Sequence, residues 1–117
     1  MFKLTKVYSD ENGDSRFEDV EIALEDAGEI GALSNLIPAK GMIFREVLPT
    51  YDFDFHNAPQ RQYIILLDGE IEIETSLGEK RTFGTGEILQ MEDTNGKGHK
   101  TRNLKKQKRR SVFIRLD

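Results

Sequence analysis

Two histidines, a glutamine and an acidic pair are the residues of this 117-residue chain whose types and spacing could do chemistry. His56 lies six residues before Gln62, and His99 follows Glu92-Asp93 across the glycine loop Asn95-Gly96-Lys97-Gly98. Two imidazoles brought together offer nitrogen donors to a divalent ion or polar contacts to an organic ligand. A carboxylate next to an imidazole orients the ring or acts as a general base, and Glu92 is the catalytic candidate on that criterion. More commonly such an acidic pair ends a strand and caps a loop. A buried Gln62 would need partners, because an unpaired amide costs about 1–3 kcal/mol. The absence of cysteine excludes disulfides, thiolate metal sites and thiol nucleophiles. The glycines of Asn95–His99 lack the Lys-Ser/Thr ending of a phosphate loop.

The elements that must hold these groups read as strands. Val20, Ile22 and Leu24 alternate with Glu21, Ala23 and Glu25; Ile71 and Ile73 alternate with Glu70, Glu72 and Glu74; Val112, Ile114 and Leu116 alternate with Phe113 and Arg115. A period of two sends one face to a core and the other mostly to water. The pattern predicts strands near 2–8, 18–25, 41–48, 51–56, 61–67, 70–75, 79–83, 87–92, 97–103 and 110–116, with a short helical turn around 26–36. Asp68-Gly69 suits a two-residue hairpin, Ser76–Glu79 a reversal, and Gly84–Gly86 a bend. Many short strands punctuated by glycine indicate an all-β sandwich or barrel.

Within that scheme Gln62 shares a face with Ile64 and Leu66, an interior position, and Tyr63 faces the other way. The run Tyr63–Leu67 is apolar on both faces and must be covered on both. One cover is the barrel itself. The other is the N-terminal strands within 1–40 or a second subunit, so a homodimer is expected. Phe44, Phe53 and Phe55 are expected to supply apolar walls.

Charge is unevenly placed. Residues 1–96 carry 8 Lys and Arg against 20 Asp and Glu, a net of −12, whereas residues 97–117 carry 9 against 1, a net of +8. The basic stretch could touch nucleic acid. It lacks interleaved aromatics, and the acidic remainder would repel phosphates. Basic strand ends complemented by the acidic N-terminal part is the favoured account, and no nucleic-acid partner is expected. With no apolar run near the 18 residues of a span and no leader-like N-terminus, the expectation is a cytoplasmic domain without a membrane partner.

These spacings resemble the cupin superfamily, whose motifs run G-x5-H-x-H-x(3,4)-E-x6-G and G-x5-P-x-G-x2-H-x3-N. FHNAPQRQYIILLDG supplies His56, then Ala58 at the second histidine, Gln62 at the glutamate, and Gly69 at the close. GEILQMEDTNGKGHKTRN supplies Gly86, then Glu92 for the proline, Thr94 for the glycine, and His99 and Asn103 after two extra residues. The similarity covers roughly 41–116 and is greatest to small single-domain cupins with HNAP…Q and EDT-x-G-x-GH segments. It implies a double-stranded β-helix, or jelly-roll barrel, as one domain over 1–117, with the strands of 1–40 covering the barrel or a dimer interface. It also implies a site in which three histidines and a glutamate converge on a divalent metal.

This chain keeps His56 and His99 of that set and has a neutral amide, Gln62, for the carboxylate. Asn57, Gln60, Glu92 or Asp93 could complete a metal site only if loops turned them inward. The favoured function is therefore a small-molecule-binding cupin of unassigned reaction, holding a carboxylate or sugar-like ligand with His56, Gln62 and His99. One alternative is a metal-dependent oxygenase, isomerase or lyase using iron, zinc, manganese or nickel on the same three residues. The other is an interaction or nucleic-acid role for 97–110.

Overall fold

The structure is a computed structural model and describes residues 2–117. Twelve strands follow one another: β1 Phe2–Ser9, β2 Ser15–Ile22, β3 Glu25–Asp26, β4 Ala32–Leu33, β5 Gly41–Val47, β6 Asp52–His56, β7 Gln62–Leu66, β8 Glu70–Thr75, β9 Lys80–Gly84, β10 Ile88–Met91, β11 His99–Asn103 and β12 Arg109–Arg115. A single 3₁₀ turn, Gly28–Ile30, sits where a short helical turn is predicted. No helix among the described residues is long and apolar enough to cross a membrane.

Two sheets face each other, one in the order β2-β1-β10-β7-β12-β5 and the other β6-β11-β8-β9; β3 and β4 form a small separate ribbon. This is the expected all-β jelly roll. Its core is built from the alternating residues: Leu66, Ile71, Ile73, Phe83, Leu89 and Met91 are buried between the sheets with Val7 and Ala58. On β8 every second residue is buried, so Glu70, Glu72 and Glu74 stay at the surface, where Glu72 pairs with Arg102.

The strand predicted at 18–25 lies three residues earlier. β2 begins at Ser15 rather than 18, because a tight turn at 10–14 returns the chain onto β1 in the register Ser9↔Ser15. Asp10 builds that turn, its Oδ1 accepting the backbone N–H groups of Asn12 and Asp14.

Asp68-Gly69 is not a hairpin. β7 already has β10 on one edge and β12 on the other, so β8 cannot pair with it and crosses to the opposite sheet. Asp68 accepts hydrogen bonds from the Arg110 backbone N–H and Nε, and Gly69 (φ 74°) packs on the aliphatic stem of Arg109, where a Cβ would press on side-chain carbons. The reversal between β8 and β9 is a true hairpin, with Thr75 N–H bonded to the Glu79 carbonyl.

β1 and β2 extend the larger sheet, β1 lying parallel to β10. The outer face of β7, carrying Tyr63 and Ile65, lines a groove of about 310 Å³ together with Phe2 and Leu4 of β1, Ile22 of β2, and Ala32, Leu33 and Ile37.

Candidate functional site

The interior of the barrel holds a cavity of about 210 Å³. Most of its wall is apolar, including Ile64, Leu66, Ile71, Ile73, Leu89 and Met91. Into it come His56, Gln62 and His99, the three residues singled out from the sequence.

Their meeting depends on two local irregularities. β11 pairs with β6 as His99↔His56 and then Thr101↔Phe53, so β6 carries one extra residue over that step. Such a bulge breaks the alternation. It lets both Phe53 and His56 face the cavity and sends Phe55 outside, where Lys100 Nζ lies 5.3 Å from its ring. Of the three phenylalanines expected as walls only Phe53 lines the cavity, while keeping about half of its surface exposed; Phe44 and Phe55 are exposed and lie outside it. The second irregularity is Gly98 (φ 78°), whose Cα lies so close to the His56 carbonyl that a Cβ would collide with it. Glycine there allows the loop to deliver His99 directly beside His56.

The two rings lie 4.5 Å apart between centroids, inclined at 56°, and Phe53 stacks on His56 at 3.9 Å. Each ring has its Nδ1 engaged. His56 Nδ1 meets the Asp54 carbonyl at 2.8 Å, and His99 Nδ1 meets Asp93 Oδ2. A carbonyl can only accept, so Nδ1 of His56 carries the proton and its Nε2 lone pair is open. The Asp93 carboxylate selects the same tautomer at His99. Neither Nε2 bonds to any protein group among the described residues. Burial pushes the His56 imidazole below its ordinary range; the Asp54 carbonyl opposes this, and His99 and Arg45 reinforce it. His56 is therefore a neutral acceptor near neutral pH.

Gln62 is 3% exposed and its Oε1 is buried without a partner. It reaches neither imidazole through a hydrogen bond among the described residues. Asp93 is fully buried, with Oδ2 on His99 and Oδ1 unpartnered.

Glu92, the catalytic candidate from sequence, is elsewhere. Its Oε2 accepts from Arg61 Nε (3.1 Å) and Gln90 Nε2 (2.9 Å), and it does not line the cavity. Strand parity explains the exchange. Leu89, Met91 and Asp93 lie on the inward face and Gln90 and Glu92 on the other, so the neighbouring carboxylate reaches His99. That parity was legible in the sequence.

Sequence reasoning also missed Arg45 and Tyr51, both on the cavity wall. Arg45 alternates with Phe44 and Glu46 on β5, and nothing in composition marks it as inward. Asn103, the last motif position, is structural: Oδ1 accepts from Arg109 Nε and Nδ2 donates to the Leu48 carbonyl.

The donor set does not fit a resident divalent metal. Ala58 brings only a methyl group to the wall, Gln62 is a neutral amide, and Asp93 is committed to the far nitrogen of His99. No group of three or more His, Asp or Glu side chains is placed to share an ion among the described residues. Two imidazoles without a carboxylate leave the charge of a divalent ion uncompensated.

Many cations of the basic segment are matched by acids. Lys97 pairs with Asp14, Lys100 with Asp54, Arg102 with Glu72, Lys108 with Glu46, and Arg110 with Asp68.

No protein-family model and no curated protein matches the sequence. Solved structures do resemble the fold. A Cupin 2 conserved barrel domain protein from Salinispora arenicola aligns with a TM-score of 0.55 at 14% identity, over 83% of this chain and 82% of that one. A cupin domain from Bordetella pertussis gives 0.51 at 15%, over 65% and 79%. Drosophila melanogaster CENP-C, solved bound to CAL1, gives 0.52 at 16%, over 80% and 76%. Identities this low establish architecture alone, and architecture does not choose a function.

Proposed function

Starting from a cupin-fold barrel, we propose that this chain binds a small organic molecule in its interior cavity, with His56, Gln62 and His99 as polar contacts. One observation carries the reading. Gln62 Oε1 is buried without a partner, and His56 and His99, each hydrogen-bonded through Nδ1 alone, line the same apolar enclosure. Buried polar groups are ordinarily satisfied, and a few convergent ones in an apolar pocket are what a ligand site requires.

The test is a thermal-shift survey with small acids, amides and sugars. The reading expects at least one class to raise the melting temperature of the wild type and to lose that effect in His56→Ala and His99→Ala variants that remain folded. A survey in which no class separates wild type from both variants would overturn it.

The Asp93–His99 pair supports a second reading, in which the bound molecule also exchanges a proton with His99 Nε2. A carboxylate behind Nδ1 stabilises the imidazolium formed when Nε2 takes a proton. Turnover lost in Asp93→Asn with binding retained would support it.

We also propose that the chain pairs with a second copy. β5 is one of the two outer strands of the six-stranded sheet and exposes Met42, Ile43 and Phe44, and the preceding segment exposes Leu36 and Ile37. An unpaired edge with apolar side chains on both faces favours edge-to-edge association.

A further inference from the structure

The cavity wall carries a cation and no anion. Arg45 lines it, and no Asp or Glu does. Its Nε donates to Ser111 Oγ at 3.1 Å, and its guanidinium lies over the rings of Phe113 (4.5 Å) and Tyr51 (5.5 Å). The two terminal nitrogens bond to no protein group, and no carboxylate lies within ion-pair distance, among the described residues. Arg109 sits on the same tyrosine, 5.6 Å from the ring, and is 1% exposed with both terminal nitrogens unpartnered. Burial, and then the charge of Arg45, lowers Arg109 to about 10. Two guanidiniums thus share one aromatic ring with no carboxylate in ion-pair contact with either among the described residues, Asp68 acting on Arg109 only from a longer distance. A half-buried charge in that state is costly unless something else supplies the opposite sign.

The wall also has a direction. From His99 the rings step to His56 (4.5 Å), to Phe53 (3.9 Å) and to Tyr51 (6.3 Å), beyond which stands Arg45. Hydrogen-bond acceptors occupy one end of this ladder, a planar cationic fork the other, and apolar surface the space between.

We propose that Arg45 is the anchor for the carboxylate of a small, largely apolar organic acid, which extends along Phe53 and Ile64 toward His56 and His99. The proposal rests on the cavity reading above and adds the ligand's charge and orientation. A guanidinium matches a carboxylate with two parallel N–H···O bonds. A phosphate carries about −1.5 to −2 charges and would find one accessible cation and no glycine-rich backbone cradle. The cavity also lies below the roughly 300–1,000 Å³ of drug-sized sites, which excludes a nucleotide.

Isothermal titration of the full chain with benzoate, isovalerate, their amides benzamide and isovaleramide, and inorganic phosphate tests this. At least one acid is expected to bind about tenfold or more tightly than its amide. Arg45→Gln should weaken the acid about tenfold or more and leave the amide unchanged, as expected for losing charged hydrogen bonds. Arg102→Gln, on the outer surface, should change neither. If Arg45→Gln does not fold, Arg45→Lys decides, with an expected loss of about threefold or more from breaking the fork.

Acid affinity indifferent to both Arg45 variants, equal binding of acids and amides, binding of phosphate alone, or no acid binding would each overturn the anchor. Amide binding that His99→Ala abolishes, without preference for the acid, would discard Arg45 and leave the cavity reading standing.

Discussion

Asp93 and His99 form a buried pair, the carboxylate oxygen on Nδ1, with both side chains closed to solvent on one side and the ring open to the cavity on the other. The arrangement fixes which nitrogen of His99 can meet a ligand. It follows from two unrelated local facts, the inward parity of Asp93 beyond β10 and the glycine that draws the loop against His56.

The tautomer is directly measurable. In ¹⁵N spectra of the wild type, His99 should carry its proton on Nδ1. Asp93→Leu, a similarly sized residue without an acceptor, should shift the ring toward the Nε2–H form and lower stability by about 1–3 kcal/mol, the cost of an unsatisfied buried group. An unchanged tautomer would show that Asp93 does not select it.

His56 makes stability depend on pH. Burial depresses its folded-state pKa below the ordinary 6.5, so the unfolded chain binds the proton more readily. The folded state is favoured fully above about 6.5 and loses this contribution as pH falls through the depressed value. Denaturant melts at pH about 7 and about 5 should show a steeper loss in wild type than in His56→Gln. Parallel losses would contradict the buried, neutral imidazole.

Gly98→Ala should be among the most disruptive small substitutions in the chain. It places a Cβ against the His56 backbone and forces an L-residue into a positive φ. A cost of about 1–3 kcal/mol in urea unfolding is expected, with ligand-dependent melting shifts lost as the rings separate. Gly86→Ala has the same sign of φ and open space around it, and serves as the control.

Metal content offers an independent check. After dialysis against zinc, manganese, nickel or ferrous iron, elemental analysis should find well under one ion per chain, because no carboxylate is placed to ligate beside His56 and His99, Asp93 being held on Nδ1 of His99. Stoichiometric metal that disappears in both histidine variants would contradict the donor-set argument.

The oligomer can be read by sedimentation. The wild type is expected to sediment as a dimer and Phe44→Glu, on the exposed face of β5, as a monomer. A monomeric wild type would remove the second copy from the account.

Strand positions were readable from period-two alternation almost throughout, since β8 and β12 must bury one face whatever their partners. Pairings were less so. Asp68-Gly69 has the composition of a hairpin, yet β7 has no free edge, and edges are a property of the whole sheet. For the same reason the bulge in β6 escaped the pattern. A regular strand would send His56 to the face opposite Phe53, and one extra residue puts both inside. Glu92 and Asp93 were distinguishable by parity from Leu89 and Met91. Arg45 was not, because inward charge on an edge strand becomes informative only once its missing counterion is seen.

If the barrel interior is a ligand chamber whose polar end is His56, Gln62 and His99, crystals soaked with a set of small organic acids and amides should reveal the occupant. Density is expected within hydrogen-bond distance of at least one imidazole Nε2, its apolar part along Ile64 and Leu89. A chamber that holds only water across the whole set, with Gln62 Oε1 satisfied by that water, would contradict it.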